Sequence, residues 1–123
     1  MIPVPTEAEE QTTLFRWIEI MTKKWPELEL AHAIPNGGSR HPIEAVHLKA
    51  QGVKAGVPDI FIPCPKGRYH GLYIEMKRRK GGRLSVEQAK WIGKLRGHGY
   101  RAEVCRGWEE ARDVIDEYME GEE

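Results

Sequence analysis

The chain has 123 residues, of which 40% are apolar and 31% charged, and its 19 basic and 19 acidic residues give a formal net charge of zero. This size predicts one compact domain over residues 1–123. No apolar run approaches the roughly 20 residues that span a bilayer, and the N-terminus lacks the pattern of a secretory signal, so we expect a cytoplasmic protein without a membrane partner. The two cysteines, Cys64 and Cys105, are too far apart for a zinc knuckle.

The neutral total hides an uneven distribution of charge along the chain. From Lys66 to Arg106 there are twelve basic residues and three acids, whereas residues 107–123 carry eight acids and the single basic residue Arg112. A polyanion would be attracted to the first region and repelled by the second. A plainer interpretation is that both regions are ordinary solvated surfaces.

The first element is an amphipathic helix that opens with a capping box at Thr6 and ends before Pro26. Its apolar stripe consists of Leu14, Ile18 and Met21. Continuing this stripe toward the N-terminus by helical spacing reaches Gln11 and Glu7, so we expect these two polar side chains to point inward.

The remaining elements alternate between strands and helices. The pattern predicts a strand over 28–34, a turn over 35–38, a short helix over 42–51, strands over 59–63 and 72–76, a helix from a capping box at Ser85 to Gly97 or Gly99, a strand over 100–105 and a last helix from Trp108. The two central strands should form an antiparallel hairpin, and the last two strands, joined through a helix, should lie parallel. The predicted fold is α/β, with a mixed four-stranded sheet flanked by helices.

The segment Gly56-Val57-Pro58-Asp59 is followed, sixteen residues after the aspartate, by Glu75-Met76-Lys77. Because successive side chains of a strand point to opposite faces, Glu75 and Lys77 should share one face while Met76 turns into the core. Asp59 stands where the neighbouring strand begins. Two carboxylates and one amine should therefore converge.

Such a set suits hydrolysis of a phosphodiester bond, which needs a divalent metal to polarise the phosphate and activate a water. Asp59 and Glu75 would be the carboxylate ligands, joined by the backbone carbonyl of Met76 and, directly or through water, by Glu7. Lys77 would orient or deprotonate the attacking water.

Each of these residues also has a plainer explanation. Asp59 can cap a turn, Glu75 and Lys77 can be an exposed pair on a sheet, and Glu7 can serve the helix dipole. Gln88 can be the capping-box partner of Ser85, which is compatible with a place in the active site. Their expected convergence at one edge of the sheet favours the catalytic interpretation.

The segment from Lys77 to Arg83 contains five basic residues and two glycines. This composition suits contact with a phosphate backbone rather than with base edges. The predicted DNA contacts are Asn36, Arg40, Arg78, Arg79, Lys80 and Arg83.

Taken together, these motifs resemble the VRR-NUC domains of the PD-(D/E)xK nuclease superfamily, especially the stand-alone versions of phages and bacteria. The resemblance rests on Glu7 and Gln11, Ile34-Pro35-Asn36-Gly37-Gly38, Gly56-Val57-Pro58-Asp59, Ile74-Glu75-Met76-Lys77 and Leu84-Ser85-Val86-Glu87-Gln88. It implies a restriction-endonuclease-like core and a nuclease dependent on Mg²⁺ or Mn²⁺, in which Asp59, Glu75 and Lys77 form the catalytic triad, Glu7 assists the metal and Gln88 arranges the site. Glu9 and Glu10 remain rivals of Glu7.

The resemblance also implies a homodimer that cuts branched DNA such as four-way junctions. Candidate interfaces are Trp25, Trp108 and the segment around Val46 and Leu48. The alternatives are a flap endonuclease, a restriction-like endonuclease with a sequence target, a non-catalytic nucleic-acid-binding module and a structural subunit that docks through its acidic C-terminal helix.

Overall fold

The computed structural model describes residues 2–35 and 41–121. Over these ranges, four strands form a mixed sheet in the order β1-β2-β3-β4. They are β1 (His32–Ala33), β2 (Ile60–Ile62), β3 (Leu72–Lys77) and β4 (Arg101–Arg106). β2 pairs antiparallel with both β1 and β3, whereas β3 and β4 are parallel. The predicted mixed sheet is therefore confirmed.

The helices are α1 (Glu7–Met21), a 3₁₀ helix (Pro26–Leu30), α2 (Pro42–Ala50), α3 (Val86–Gly97) and α4 (Trp108–Glu120). The capping boxes predicted at Thr6 and Ser85 are both formed, and each hydroxyl accepts a hydrogen bond from the backbone of the third helical residue. None of the helices in the described ranges is long and apolar enough to cross a membrane.

The alternation of side chains along β3 separates two layers. Leu72, Ile74 and Met76 point into a core that also contains buried apolar residues of α1 and α4. Glu75 and Lys77 point to the opposite face, where the N-terminus of α3 lies. α1 and α4 pack against β3, and α3 packs against its neighbour β4, so β3 lies in the centre of the molecule.

The predicted strand over 28–34 is wrong in its first half. Pro26 occupies the first position of a 3₁₀ helix, where its missing N–H and fixed φ are tolerated. Leu28 alone is buried there, whereas Leu30 is exposed, so an alternating apolar pattern imitated a strand. The predicted turn over 35–38 and the predicted DNA contacts Asn36 and Arg40 lie outside the described residues, apart from Pro35.

Gly56 brings the chain before β2 into close contact with the start of α3. Its φ is +91°, and a Cβ built at this position would lie 2.7 Å from both the carbonyl carbon and the Cβ of Glu87. Real Cβ atoms do not come this close to backbone, so the approach requires glycine.

We predict that Gly56→Ala destabilises the fold more than Gly52→Ala does. Both glycines have positive φ, but a Cβ at Gly52, whose φ is +100°, meets nothing within 4 Å. The control therefore reports backbone strain alone, about 1 kcal/mol, and the clash with Glu87 should raise the loss at Gly56 to about 2–4 kcal/mol. Urea unfolding measures both values. Equal losses of unfolding free energy in the two variants would show that the chain relieves the clash with Glu87 without a cost in stability.

Candidate functional site

Asp59 and Glu75 face each other where β2 begins. Ile60 pairs with Ile74, so continuing the antiparallel register by one residue places Asp59 opposite Glu75. Oδ2 of Asp59 accepts a hydrogen bond from the backbone N–H of Met76 at 2.7 Å. The aspartate predicted to stand at the mouth of β2 is thus held against β3, beside the predicted Glu-x-Lys motif.

Glu75 is a carboxylate in a buried position, with 1% of its surface exposed. Its Oε2 accepts a hydrogen bond from Nε2 of Gln88 at 3.1 Å and lies 3.9 Å from Nζ of Lys77. As a carboxylate, Glu75 has a buried Oε1 that receives no hydrogen bond from the described part of the chain. A buried carboxylate oxygen without a donor is costly, and a cation at this oxygen would offset the cost.

The surroundings of Glu75 favour its neutral form. Burial is the largest cause, followed by the charge and the hydrogen bond of Asp59, and these raise the pKa of Glu75 to about 8, while Lys77 lowers it and Glu7 adds a smaller increase. In the metal-free protein these surroundings therefore favour the protonated form of Glu75 over the carboxylate.

Lys77 lies on the same face as Glu75 and is also buried, with 7% of its surface exposed. Its ammonium group is held beside a carboxylate, and its backbone carbonyl accepts a hydrogen bond from Gly107 at the start of α4. Met76, between the two, is buried in the apolar core on the other face. The predicted division of the motif between two faces is confirmed.

Gln88 has two tasks at the N-terminus of α3. Its side-chain oxygen accepts a hydrogen bond from the backbone N–H of Ser85 at 2.8 Å, which completes the capping box. Its side-chain nitrogen donates to Glu75. Gln88 is therefore the capping-box partner of Ser85 and also contacts Glu75, and its role in an active site stays a prediction.

The three acidic residues at the start of α1 have different surroundings. Glu9 belongs to the capping box with Thr6, and Glu10 is 2% exposed and forms an ion pair with Arg79. Glu7 is half-buried and acts on Glu75 through its charge. In the described ranges no three His, Cys, Asp or Glu side chains form a group that could hold a metal ion, so Glu7 does not join Asp59 and Glu75 in one.

The comparisons with known proteins agree with this geometry. Residues 6–109 match the VRR-NUC domain family. The chain belongs to the VRR-NUC family. A solved structure described as a VRR_NUC domain protein superposes with a TM-score of 0.84 and 32% sequence identity, over 98% of this chain and 93% of that one. No curated protein matches.

Because this is a nuclease family, the basic residues of the segment after β3 are candidate DNA contacts. The structure divides these residues into two groups. The guanidinium of Arg78 donates to the backbone carbonyls of Val4 and Pro5, and Arg79 pairs with Glu10 and Glu109. Lys80 and Arg83 are exposed. DNA contact remains a prediction for all four, and Lys80 and Arg83 are the better placed.

The sequence did not predict the ion pair between Glu10 and Arg79 in this VRR-NUC domain. Arg79 donates from Nε and Nη2 to the two oxygens of Glu10 at 2.6 and 3.1 Å, and the backbone N–H of Trp108 donates to Glu10 at 3.1 Å. The pair ties α1, the segment after Lys77 and the start of α4 together. The signal was available, because Glu10 lies four residues before Leu14 on the buried stripe of α1.

We predict that Glu75→Gln changes how the stability of the metal-free protein depends on pH. Folded Glu75 keeps its proton up to about pH 8, whereas the ordinary value is 4.5. The folded state therefore binds more protons than the unfolded state between about pH 5 and 8, and the wild type loses stability as pH rises through this range. Glutamine does not titrate, so the Tm of the variant minus that of the wild type, measured in EDTA, should increase steadily from pH 5 to pH 8.

Glu19→Gln is the matched control, since Glu19 is exposed on α1. Its Tm difference from the wild type should stay nearly constant over the same range. A constant difference for Glu75→Gln as well would show that Glu75 is ionised in the folded protein.

Proposed function

We propose that this VRR-NUC protein is a metal-dependent DNA endonuclease that hydrolyses phosphodiester bonds, selectively in branched DNA such as four-way (Holliday) junctions. The observation that carries the proposal is buried Glu75, whose Oε1 has no donor among the described residues and which lies beside Asp59 and Lys77. A carboxylate in this position has little structural benefit, because burial opposes its charge.

The residues present fit a hard divalent cation, Mg²⁺ or Mn²⁺. Magnesium sites in nucleases use one or two carboxylates, and water and substrate phosphate complete the coordination. Asp59 and Glu75 would supply those carboxylates, the Met76 carbonyl would add a backbone ligand, and Glu7 would act through water. The bound ion would polarise the phosphate and lower the pKa of a water.

The other polar groups of the site then have defined roles. Gln88 holds one oxygen of Glu75, and no described residue donates to the other. The backbone N–H of Met76 holds one oxygen of Asp59. The ammonium group of Lys77 would orient the attacking water and stabilise negative charge that develops on the phosphate. Lys80 and Arg83 would contact neighbouring phosphates.

We propose that the enzyme acts as a homodimer, in which two sites face the two strands of a junction. The sequence offered several interfaces, and Trp25 is wrong among them because it is buried in the core of its own chain. The α2 helix is better supported. None of its residues is buried, and its apolar side chains Ile43 and Val46 are 62% and 65% exposed.

We predict that cleavage requires a divalent metal, Asp59 and Lys77. Labelled four-way junction, flap, linear duplex and single-stranded DNA are incubated with Mg²⁺, Mn²⁺ or EDTA. The wild type should cut the junction best with either metal and not in EDTA. Asp59→Asn and Lys77→Met should each lower the rate by at least about 100-fold, the scale of losing a catalytic group.

Asp113→Asn is the control, because Asp113 is exposed on α4 and pairs only with its neighbour Arg112 among the described residues. It should cut like the wild type. Preferred cutting of a flap, or of one short motif in linear duplex, would replace junction selectivity with flap or restriction-like activity. Tight binding without cutting under both metals would leave a non-catalytic nucleic-acid-binding module.

We predict that Val46→Asp converts a dimer into a monomer in sedimentation-velocity experiments, because a charge would be buried against the second copy. Ile20→Asp is the control, since Ile20 is also 65% exposed but lies on α1. A wild type that sediments as a monomer at micromolar concentration would contradict the dimer. A dimer that survives Val46→Asp would place the interface elsewhere.

A further inference from the structure

A row of aromatic rings crosses the sheet on the face that carries Glu75. Phe61 stacks on Tyr73 with 4.3 Å between ring centroids, and Tyr73 contacts Tyr100 edge to face at 5.5 Å. His32 and His70 extend the row at its two ends. The three central rings are half-buried and the two histidines are exposed, so the row is accessible from outside.

The row begins close to the nuclease site. Tyr73 lies two residues before Glu75, and Phe61 two residues after Asp59, so each ring is on the same face as the carboxylate of its own strand. The separation along a strand is about 7 Å. This distance is about one nucleotide of an extended chain, so a strand leaving the carboxylates would meet the rings next.

A cavity of about 720 Å³ opens at the far end of this row. Its walls include Trp91 and Leu95 of α3 together with Tyr100 and His70. A Cβ at Gly99 would come within 2.7 Å of the His70 ring, so the ring packs directly on the backbone there. The cavity therefore has flat aromatic walls, and its volume is in the range of ligand sites.

The rim of this cavity is positively charged. Lys54, Lys90 and Lys94 line it, and among the described residues Glu87 is the one acidic side chain in its wall. A second cavity, of about 910 Å³ beside α1, is lined by Arg16, Glu19 and Glu29 and has no comparable excess of cations. Aromatic walls below a lysine rim match the two parts of a nucleotide, a base that stacks and a phosphate that pairs with a cation.

The α3 helix connects this cavity with the catalytic residues. Gln88, which holds Glu75, is followed at helical spacing by Trp91 and Leu95, so the three lie on one side of α3. Lys90 and Lys94 lie four residues apart on an adjacent line of the helix. One rigid element thus carries both the amide of the site and two walls of the cavity.

We propose that this cavity binds an unpaired strand of the nucleic acid substrate, with bases stacked on Tyr100 and Trp91 and phosphates on Lys90 and Lys94. The inference rests on the proposed function, because a strand path is useful only beside a site that cuts it. It adds a mode of recognition: a strand freed from pairing near a branch would be held by stacking, without reading its sequence.

The test is binding of a fluorescein-labelled oligothymidylate of about 12 nucleotides in EDTA, followed by anisotropy at low salt. Tyr100→Leu and the double variant Lys90→Ala/Lys94→Ala should each weaken binding by at least about fivefold. Tyr100→Phe keeps the ring and should bind like the wild type. Lys23→Ala/Lys24→Ala removes two lysines from the turn that follows α1 and should also bind like the wild type. Thermal unfolding verifies that each variant is folded.

Equal binding by the two lysine pairs, or equal losses in Tyr100→Leu and Tyr100→Phe, would overturn the strand site. A change of sedimentation coefficient in the Lys90→Ala/Lys94→Ala variant without DNA would also overturn it, in favour of a contact between copies. The nuclease proposal is tested separately, because binding in EDTA needs no cleavage. Strand binding without metal-dependent cutting would refute the nuclease proposal and leave the strand-site proposal standing. Metal-dependent cutting with equal binding by the variants and the wild type would refute the strand site and leave the nuclease proposal standing.

Discussion

A carboxylate buried in the central strand is the constraint on which the site depends. An isolated buried charge is expensive, and proteins accept it where it is paired or neutralised. Glu75 is partly compensated by Gln88 and Lys77, yet Asp59 opposes its ionisation and one oxygen has no donor in the described part of the chain. The negative charge of Glu75 is therefore only partly compensated, and a bound cation would compensate the remainder. The raised pKa of Glu75 and its oxygen without a described donor have the same cause, which is a buried negative charge that its neighbours compensate only in part.

Local structure around the carboxylates holds Asp59 and Glu75 in this arrangement. Gly56 allows the chain before Asp59 to touch the start of α3 at Glu87. The capping box at Ser85 then fixes Gln88, whose amide reaches Glu75. The turn at Gly56, the start of α3 and strand β3 are thus connected by direct contacts. On the other side of Lys77, the ion pair of Arg79 with buried Glu10 anchors the following segment to α1, so the chain is held in place after the Glu-x-Lys motif as well.

Much of this arrangement follows from periodicity in the sequence. Alternation along β3 was sufficient to place Glu75 and Lys77 on one face and Met76 in the core, and the two capping boxes located helix starts correctly. Periodicity failed where two patterns coincide. Leu28 and Leu30 alternate as in a strand, but Pro26 favours a helical turn. Only Leu28 of these two leucines packs into the core, and Leu30 is exposed.

Contacts between distant elements could not be predicted from periodicity, since it describes one element at a time. Helical spacing backwards from Leu14 permits both Gln11 and Glu10 on the inner side, and the choice between them depends on Arg79, 69 residues from Glu10. The aromatic row also depends on contacts between distant elements and was not predicted for the same reason. His32, Phe61, Tyr73 and Tyr100 belong to different strands or strand ends, and the register of the sheet brings their rings together.

The sheet and its ion pairs also change the meaning of the uneven charge. Glu109, Glu117 and Glu120 of the acidic C-terminal helix pair with Arg79, Arg101 and Lys24 of the same chain. Part of the acidic surface is therefore already neutralised, which weakens the case for a structural subunit that docks through α4. The cations left exposed include Lys80, Arg83, Lys90 and Lys94, before and along α3. Because α3 also carries Gln88, which donates to Glu75, this helix connects the surface available to a polyanion with the carboxylates of the site.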